Sequence, residues 1–241
     1  MLHKTRGIVL QSIKYSESSN ILKIYTEAFG LQSYMVRGLR KSKSRIKASL
    51  FQHLSLLELV VYHKEKKDIQ NIREVKPAVL FRDIPFDIRK SSIVLFMNEL
   101  INKSVREEEA NPEMFGFLYN SILSLDALDS GVVNFHLAFA MQFTRFLGFY
   151  PMDPPMNEAR HFDLREGLFL ESKPSHEDHL SGEIVHAMLQ ILSAGLEKPG
   201  AIELNNSSRK DLLGAIIKYY QLHLPDFKPM KSVGVLQSIF S

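Results

Sequence analysis

The feature that most constrains this chain is a change of hydrophobic period near residue 78. Before it, apolar residues come in short blocks: GIVLQSIKY (7–15), NILKIYT (20–26), QSYMVRG (32–38), HLSLLELVVY (53–62) and IQNIREVK (69–76). The blocks are rich in Ile, Val, Leu and Tyr, as strands are, and serines, Phe29-Gly30 and charged turns separate them. Five short strands in about 80 residues predict a small closed barrel, because closure removes unpaired edges. A five-stranded barrel of this size points to the OB-fold, which binds nucleic acid on one strand face and in its loops.

After residue 78 the spacing is helical. Ile93, Phe96, Met97, Leu100 and Ile101 fall at i, i+3, i+4, i+7 and i+8. Phe115, Leu118, Ile122, Leu125 and Leu128 form a second stripe. A third runs from Val132 through Phe135, Phe139, Phe143 and Phe146 to Gly148, a residue type that ends helices. Residues 151–180 carry four prolines and many charges and read as a long connection with one short hairpin near Arg165–Leu170. Two further helices are expected, one capped by Ser181 and ending at Gly195, one opened by a capping box at Ser208–Asp211 and closed by Pro225. A short helix at about 232–240 ends the chain. The expected architecture is mixed: a five-stranded OB-fold β-barrel over 1–78, then an all-α C-terminal domain over 79–241 with its irregular connection at 151–180.

Charge divides at the same place. Residues 1–80 hold 15 Lys/Arg against 6 Asp/Glu, whereas residues 81–241 hold 15 against 21. A basic half followed by an acidic half suggests two domains, the first facing a polyanion. The cations are also bunched: Arg37, Arg40, Lys41, Lys43, Arg45 and Lys47 fall within eleven residues containing no acid. Cations so placed attract phosphates and release condensed counterions, so binding of single strands weakens with salt by about 0.7 log units per log unit for each phosphate neutralised. Tyr15, Tyr25 and Tyr34 lie nearby; they stack on bases only if they point outward, and core positions are the alternative. No feature resembles base-specific readout, so little sequence preference is expected.

Other chemistry has less support. The 241 residues include no cysteine, which excludes disulfides, thiolate metal sites and cysteine nucleophiles. No P-loop, dinucleotide-binding or serine-elbow motif is present. His161, His176 and His179 cluster beside Asp163, but His176 and His179 stand three apart, unlike the four of a zinc-hydrolase helix. A metal-dependent hydrolase built on this cluster is one rival reading; an RNA-binding OB protein and a pure protein scaffold are others. The N-terminus does not read as a secretory signal, and no apolar run reaches the ~20 residues that span a bilayer, so a cytoplasmic, nucleoid-associated protein with no membrane contact is expected.

KTRGIVLQSIKYSESSNILKIYTEAFGLQSYMVRGLRKSKSR and LELVVYHK resemble the start of the RecO family of bacterial recombination mediators. FLGFYP (146–151) and RKDLLGAIIKYYQLHLPDFKPMKS (209–232) resemble that family's C-terminal helices, so the similarity covers nearly the whole chain. The resemblance implies an N-terminal OB-fold, a helical C-terminal domain, and binding and annealing of single- and double-stranded DNA. It also implies cooperation with RecR in loading RecA onto DNA coated by single-strand-binding protein, whose acidic C-terminal tail meets the helical domain. Many members hold zinc with cysteines in the segment matching 151–180; lacking cysteine, this chain is expected to hold no metal and to fix that segment by packing. The DNA-binding residues implied are Arg37, Arg40, Lys41, Lys43, Arg45 and Lys47, with Lys4 and Arg6 flanking, and Arg145 is assigned to the tail's carboxylates. No catalytic residue, cofactor or small-molecule substrate is implied.

Overall fold

The computed structural model describes residues 1–17, 19–37, 48–106, 109–152 and 159–240. The chain divides into two compact units, Met1–Pro85 with Val105–Asp126, and Phe86–Ser104 with Ala127–Ser241. The first is built on five strands: β1 (Leu2–Lys14), β2 (Ser19–Thr26), β3 (Gly30–Arg37), β4 (Leu56–Tyr62) and β5 (Ile69–Pro77). They close a barrel in the order β1-β2-β3-β5-β4. All neighbours are antiparallel except β3 and β5, whose parallel pairing of Ser33–Met35 with Ile69–Asn71 completes the closure. This is the expected five-stranded barrel.

Alternation along the strands decides which side chains fill it. Val9, Leu22, Ile24, Tyr34, Val36, Leu57, Leu59 and Val61 are buried together inside. The register slips between Val9 and Gln11, so Leu10 forms a bulge that lets the long β1 bend around the barrel. Gly7 faces two strands at once: a Cβ there would stand 2.7 Å from Ile24 Cγ2 and 2.8 Å from a Leu59 methyl.

Among the described residues six α-helices follow: α1 (Ile88–Ser104), α2 (Pro112–Ala127), α3 (Val132–Leu147), α4 (Glu183–Ala194), α5 (Asn206–His223) and α6 (Ser232–Ile239). The periodicity located all of them, but the compact units do not divide where the period changes at residue 78. α2 belongs with the barrel, where Phe115 stacks on Tyr25 at 6.3 Å. The physical reason lies on β1 and β2: Ile8 and Tyr25 sit on the outer face and are fully buried, so that end of the face needs a cover. Asp126, near the end of α2, accepts the backbone N–H groups of Arg82, Asp83 and Ile84 at 2.8–2.9 Å and fixes the chain leaving the barrel.

In the second unit, Phe135, Phe139 and Phe143 on α3 are fully buried. Gly148 adopts φ 84° and ends α3 with its N–H on the Thr144 carbonyl. Two caps differ from expectation. Ser181 ends a strand, and α4 starts after Gly182 with no side-chain cap, while α5 is capped by Asn205, which accepts from the Ser208 N–H. The connection contains a three-stranded sheet in the order β7-β6-β8, formed by β6 (His161–Asp163), β7 (Leu168–Leu170) and β8 (His179–Ser181). Among the described residues no helix is long and apolar enough to cross a membrane.

Candidate nucleic-acid interface

Residues that pair directly across antiparallel strands share a face of the sheet. Three rows therefore cross the outside of β1, β2 and β3: Ile8–Tyr25–Leu31, Gln11–Lys23–Ser33 and Ile13–Ile21–Met35. α2 covers the first row. Among the described residues the third has no such cover: Ile13 is 42% exposed, and Tyr15 just beyond it is 64% exposed. Ile21 and Met35, next along that row on β2 and β3, are half-buried. Arg37 is exposed at the end of this face, where it pairs with Ser19, whereas Lys14 pairs with Asn20 in the alternate row and belongs to the other face. Lys23 stands in the middle row with no ion pair among the described residues. The result is an open apolar and aromatic strip with cations on and beside it, a surface suited to stacked bases and a phosphate backbone.

The three tyrosines separate cleanly. Tyr25 and Tyr34 are fully buried, and burial pushes the Tyr34 hydroxyl well above its ordinary pKa. Tyr15 alone of the three offers its ring to solvent.

The cationic candidates separate as well. Arg40, Lys41, Lys43, Arg45 and Lys47 lie outside the described residues; the run they form leaves β3 at Arg37. Lys4 and Arg6 are not brought beside Arg37. They lie on β1, eight (Arg6) and ten (Lys4) residues from Lys14, or ~26 and ~33 Å along the strand. Arg6 is already engaged, since its guanidinium donates to both Glu27 oxygens at 2.6 and 2.8 Å. It also lies 4.8 Å from the Tyr119 ring centre. That hydrogen-bonded pairing holds the Glu27 carboxyl below its usual range and raises Arg6. Arg6 thus ties the β2–β3 turn to α2. Lys4 shares a row with Val60 and Glu74, next to the row Arg6–Glu58–Lys76, in which Lys76 and Glu58 pair at 2.8 Å. This second face alternates in charge and largely neutralises itself.

Sequence reading missed Lys23 and the strip formed by Ile13, Ile21 and Met35. Their signal was outward alternation within strands, legible only once register is known.

The helical unit has a separate feature. A cavity of about 190 Å³ at the start of α5 has an apolar floor, Leu213, Leu236 and Phe240, and a basic rim, Arg209 and Lys210. The Arg209 guanidinium is buried and donates to Asn134 Oδ1 (3.1 Å), Asn206 Oδ1 (2.7 Å) and the Leu204 carbonyl (2.9 Å). All three acceptors are neutral, and among the described residues no carboxylate compensates the charge. His136 also lines the cavity; burial, and secondarily Arg209, lower its pKa to about 3, so its imidazole is neutral. Arg145, assigned to the same role from sequence, is nine residues further along α3, exposed, with its guanidinium 4.1 Å from the Tyr150 ring centre.

The histidines of the connection are held by neighbours. His161 Nδ1 meets Ser181 Oγ at 2.7 Å, His179 Nδ1 meets the His176 carbonyl at 2.7 Å, and His176 Nε2 meets Asp163 at 3.0 Å. Asp178 pairs with Arg165 and Lys218, which lower its pKa to about 2, Lys218 first. Among the described residues no three histidine or acidic side chains converge on a metal position, so this donor set does not fit a zinc site. Hydrogen bonds and ion pairs, added to packing, fix the segment.

Residues 1–81 match the family model described as Recombination protein O N terminal, and residues 85–232 match Recombination protein O C terminal. The chain belongs to the RecO family. It is 37% identical to the DNA repair protein RecO of Bacteroides fragilis over 100% of both chains. It is 38% identical to the protein of the same name from Flavobacterium psychrophilum over 99% of each, and 30% identical to that of Porphyromonas gingivalis over 100% of each. The RecO match at 1–81 spans the whole barrel, and the one at 85–232 takes in α1 to α5.

Proposed function

We propose that this protein is a non-enzymatic DNA-binding mediator of DNA repair and recombination. It binds single and double strands without reading sequence, anneals complementary strands, and helps load RecA, with RecR, onto single strands coated by single-strand-binding protein. The observation that carries the reading is the open strip Tyr15–Ile13–Ile21–Met35, flanked by Lys23 and by Arg37, where the run of Arg40, Lys41, Lys43, Arg45 and Lys47 begins. Annealing requires that two repelling strands be neutralised while their bases stay free, and flexible cations beside a stacking surface meet that need. No bond is made or broken, so no catalytic group is called for.

The acidic tail of the coating protein fits the cavity at α5 better than Arg145. An uncompensated buried guanidinium beside an apolar floor suits an apolar side chain carrying a carboxylate, and the N-terminus of α5 adds its own preference for an anion. Changing Lys210 to Glu should weaken binding of the tail peptide at least tenfold, whereas Arg145→Glu should leave it unchanged; the opposite pattern returns the assignment to Arg145.

The DNA reading is tested by Arg40→Ala, Lys41→Ala and Lys43→Ala together. Affinity for a labelled single strand should fall and its log–log salt slope should shrink by about 2, at 0.7 per contact. An unchanged slope would remove the loop from the account. Equal-length DNA and RNA strands titrated side by side separate this reading from an RNA-binding role: a clear preference for RNA would favour the latter.

A further inference from the structure

Helix α6 has little of its own to hold it. Its sequence, SVGVLQSI, is short and poor in helix formers, with Gly234 between the β-branched Val233 and Val235. Eight residues of that kind do not stay helical alone in water. The helix has no side-chain cap, and of its residues only Ser232 and Leu236 are buried, while Val235 is 42% exposed. The RecO C-terminal match ends at residue 232, where α6 begins, so that match gives the helix no role.

Contacts to α1 and α3 hold it instead, chiefly those to α1. Glu99 of α1 accepts the backbone N–H groups of Lys231 (3.0 Å) and Ser232 (2.8 Å), standing in for the missing cap. Burial opposes the charge on this carboxyl, yet the bonds from Ser232 and Lys231 hold it below its usual pKa range, so it is an ionised acceptor. Leu236 is 1% exposed. Past the far end of the helix the Phe240 ring stacks on His136 of α3 at 5.7 Å, and Phe96 of α1 meets the same imidazole edge-on at 5.8 Å.

The cavity at the start of α5 depends on that placement. Leu236, Gln237 and Phe240 line it, and of its apolar floor only Leu213 comes from another helix. Arg209 is fixed by its own bonds to Asn134 and Asn206, whereas the floor has no support beyond the docking of α6. Glu99 is not among the lining residues.

We propose that α6 is a clasp for this cavity: the site is complete only while α6 is docked on α1, and Glu99 is the positioning residue that docks it. This rests on the reading that the cavity takes the acidic tail of the coating protein. Apparent affinity for the tail then scales with the docked fraction of α6, and by linkage a bound tail holds α6 down in return.

The test uses the full chain and the tail peptide of the single-strand-binding protein. Glu99→Ala should weaken peptide binding roughly tenfold, as the docked fraction falls to about a tenth, and Glu99→Gln, which keeps one acceptor oxygen, should lose less. A Cβ at Gly234 meets nothing within 4 Å, so Gly234→Ala strengthens the helix without disturbing its neighbours. Added to Glu99→Ala, it should recover part of the lost affinity. Hydrogen exchange gives the reciprocal reading and needs no variant: saturating peptide should slow exchange of the α6 amides in the wild type. Wild-type affinity in Glu99→Ala, or α6 exchange indifferent to bound peptide, overturns the inference. If Lys210→Glu weakens binding in the same series, the tail site then stands without the clasp; if Lys210→Glu binds as the wild type does, both fall.

Discussion

Asp126→Ala removes one carboxylate that gathers three backbone N–H groups, those of Arg82, Asp83 and Ile84, at 2.8, 2.9 and 2.9 Å. Hydrogen bonds to a charged acceptor contribute about 1.5–3 kcal/mol each, so a simple sum gives roughly 4–9 kcal/mol. The sum overstates the cost. Arg82 is exposed and Asp83 half-exposed, so water replaces the carboxylate at those two; only the Ile84 N–H is left without solvent. A loss of about 2–4 kcal/mol remains, or roughly 5–12 °C in melting temperature for a chain of this size. Asp126→Asn keeps one acceptor oxygen and should cost about half as much. The chain has no tryptophan, so the assay is urea unfolding followed by far-UV circular dichroism. A loss below about 0.5 kcal/mol for Asp126→Ala would refute the claim that this carboxylate holds α2 and the chain leaving the barrel as one unit.

Tyr15→Ala should weaken single-strand binding by about 1–3 kcal/mol, the range for one base–aromatic stack, without changing the melting temperature. Gly7→Ala should destabilise by about 1–3 kcal/mol, since the new methyl meets Ile24 and Leu59 inside the barrel; thermal melts measure it. His136 gives a pH signature. Its folded pKa lies below the unfolded value of about 6.5, so its contribution is full above that value and is lost as pH falls, by about 1.4 kcal/mol per pH unit. Unfolding of the wild type and of His136→Leu, compared between pH 6.5 and 5, should therefore show a steeper decline in the wild type. Glu27 is depressed by Arg6, so that pair contributes above the unfolded carboxylate pKa and is lost on acidification. Because both groups are partly exposed, the gap between wild type and Glu27→Gln should stay within about 1 kcal/mol and close at low pH.

Local pattern was enough for the elements. Strand blocks such as NILKIYT and stripes such as Phe135–Phe139–Phe143 fix type and rough extent, because alternation and the 3.6-residue period are properties of the chain itself. What depends on partners was not legible. α2 has the same kind of apolar stripe as α1, and nothing local says that Phe115 faces Tyr25 of the barrel and not another helix. Arg6 is one more cation in a basic segment until the fold brings Glu27 against it. Ser181 and Ser208 offered good caps, yet a strand claimed the first and Asn205 came earlier for the second. Arg209 reads as a surface arginine of an amphipathic helix; only packing shows it buried, with no acid beside it among the described residues. Tyr15, Tyr25 and Tyr34 are alike in sequence and were divided by the cover that α2 provides and by the barrel's interior.

Annealing of complementary single strands, measured at low and at moderate ionic strength with the wild type and with the Arg40, Lys41, Lys43 triple alanine variant, reaches the central claim most directly. The wild type should anneal quickly at low salt and slowly at moderate salt, and the variant should be slow at both while keeping its fold. Equal annealing by the two proteins at both salts would contradict the claim that cations at this end of the barrel bring the strands together.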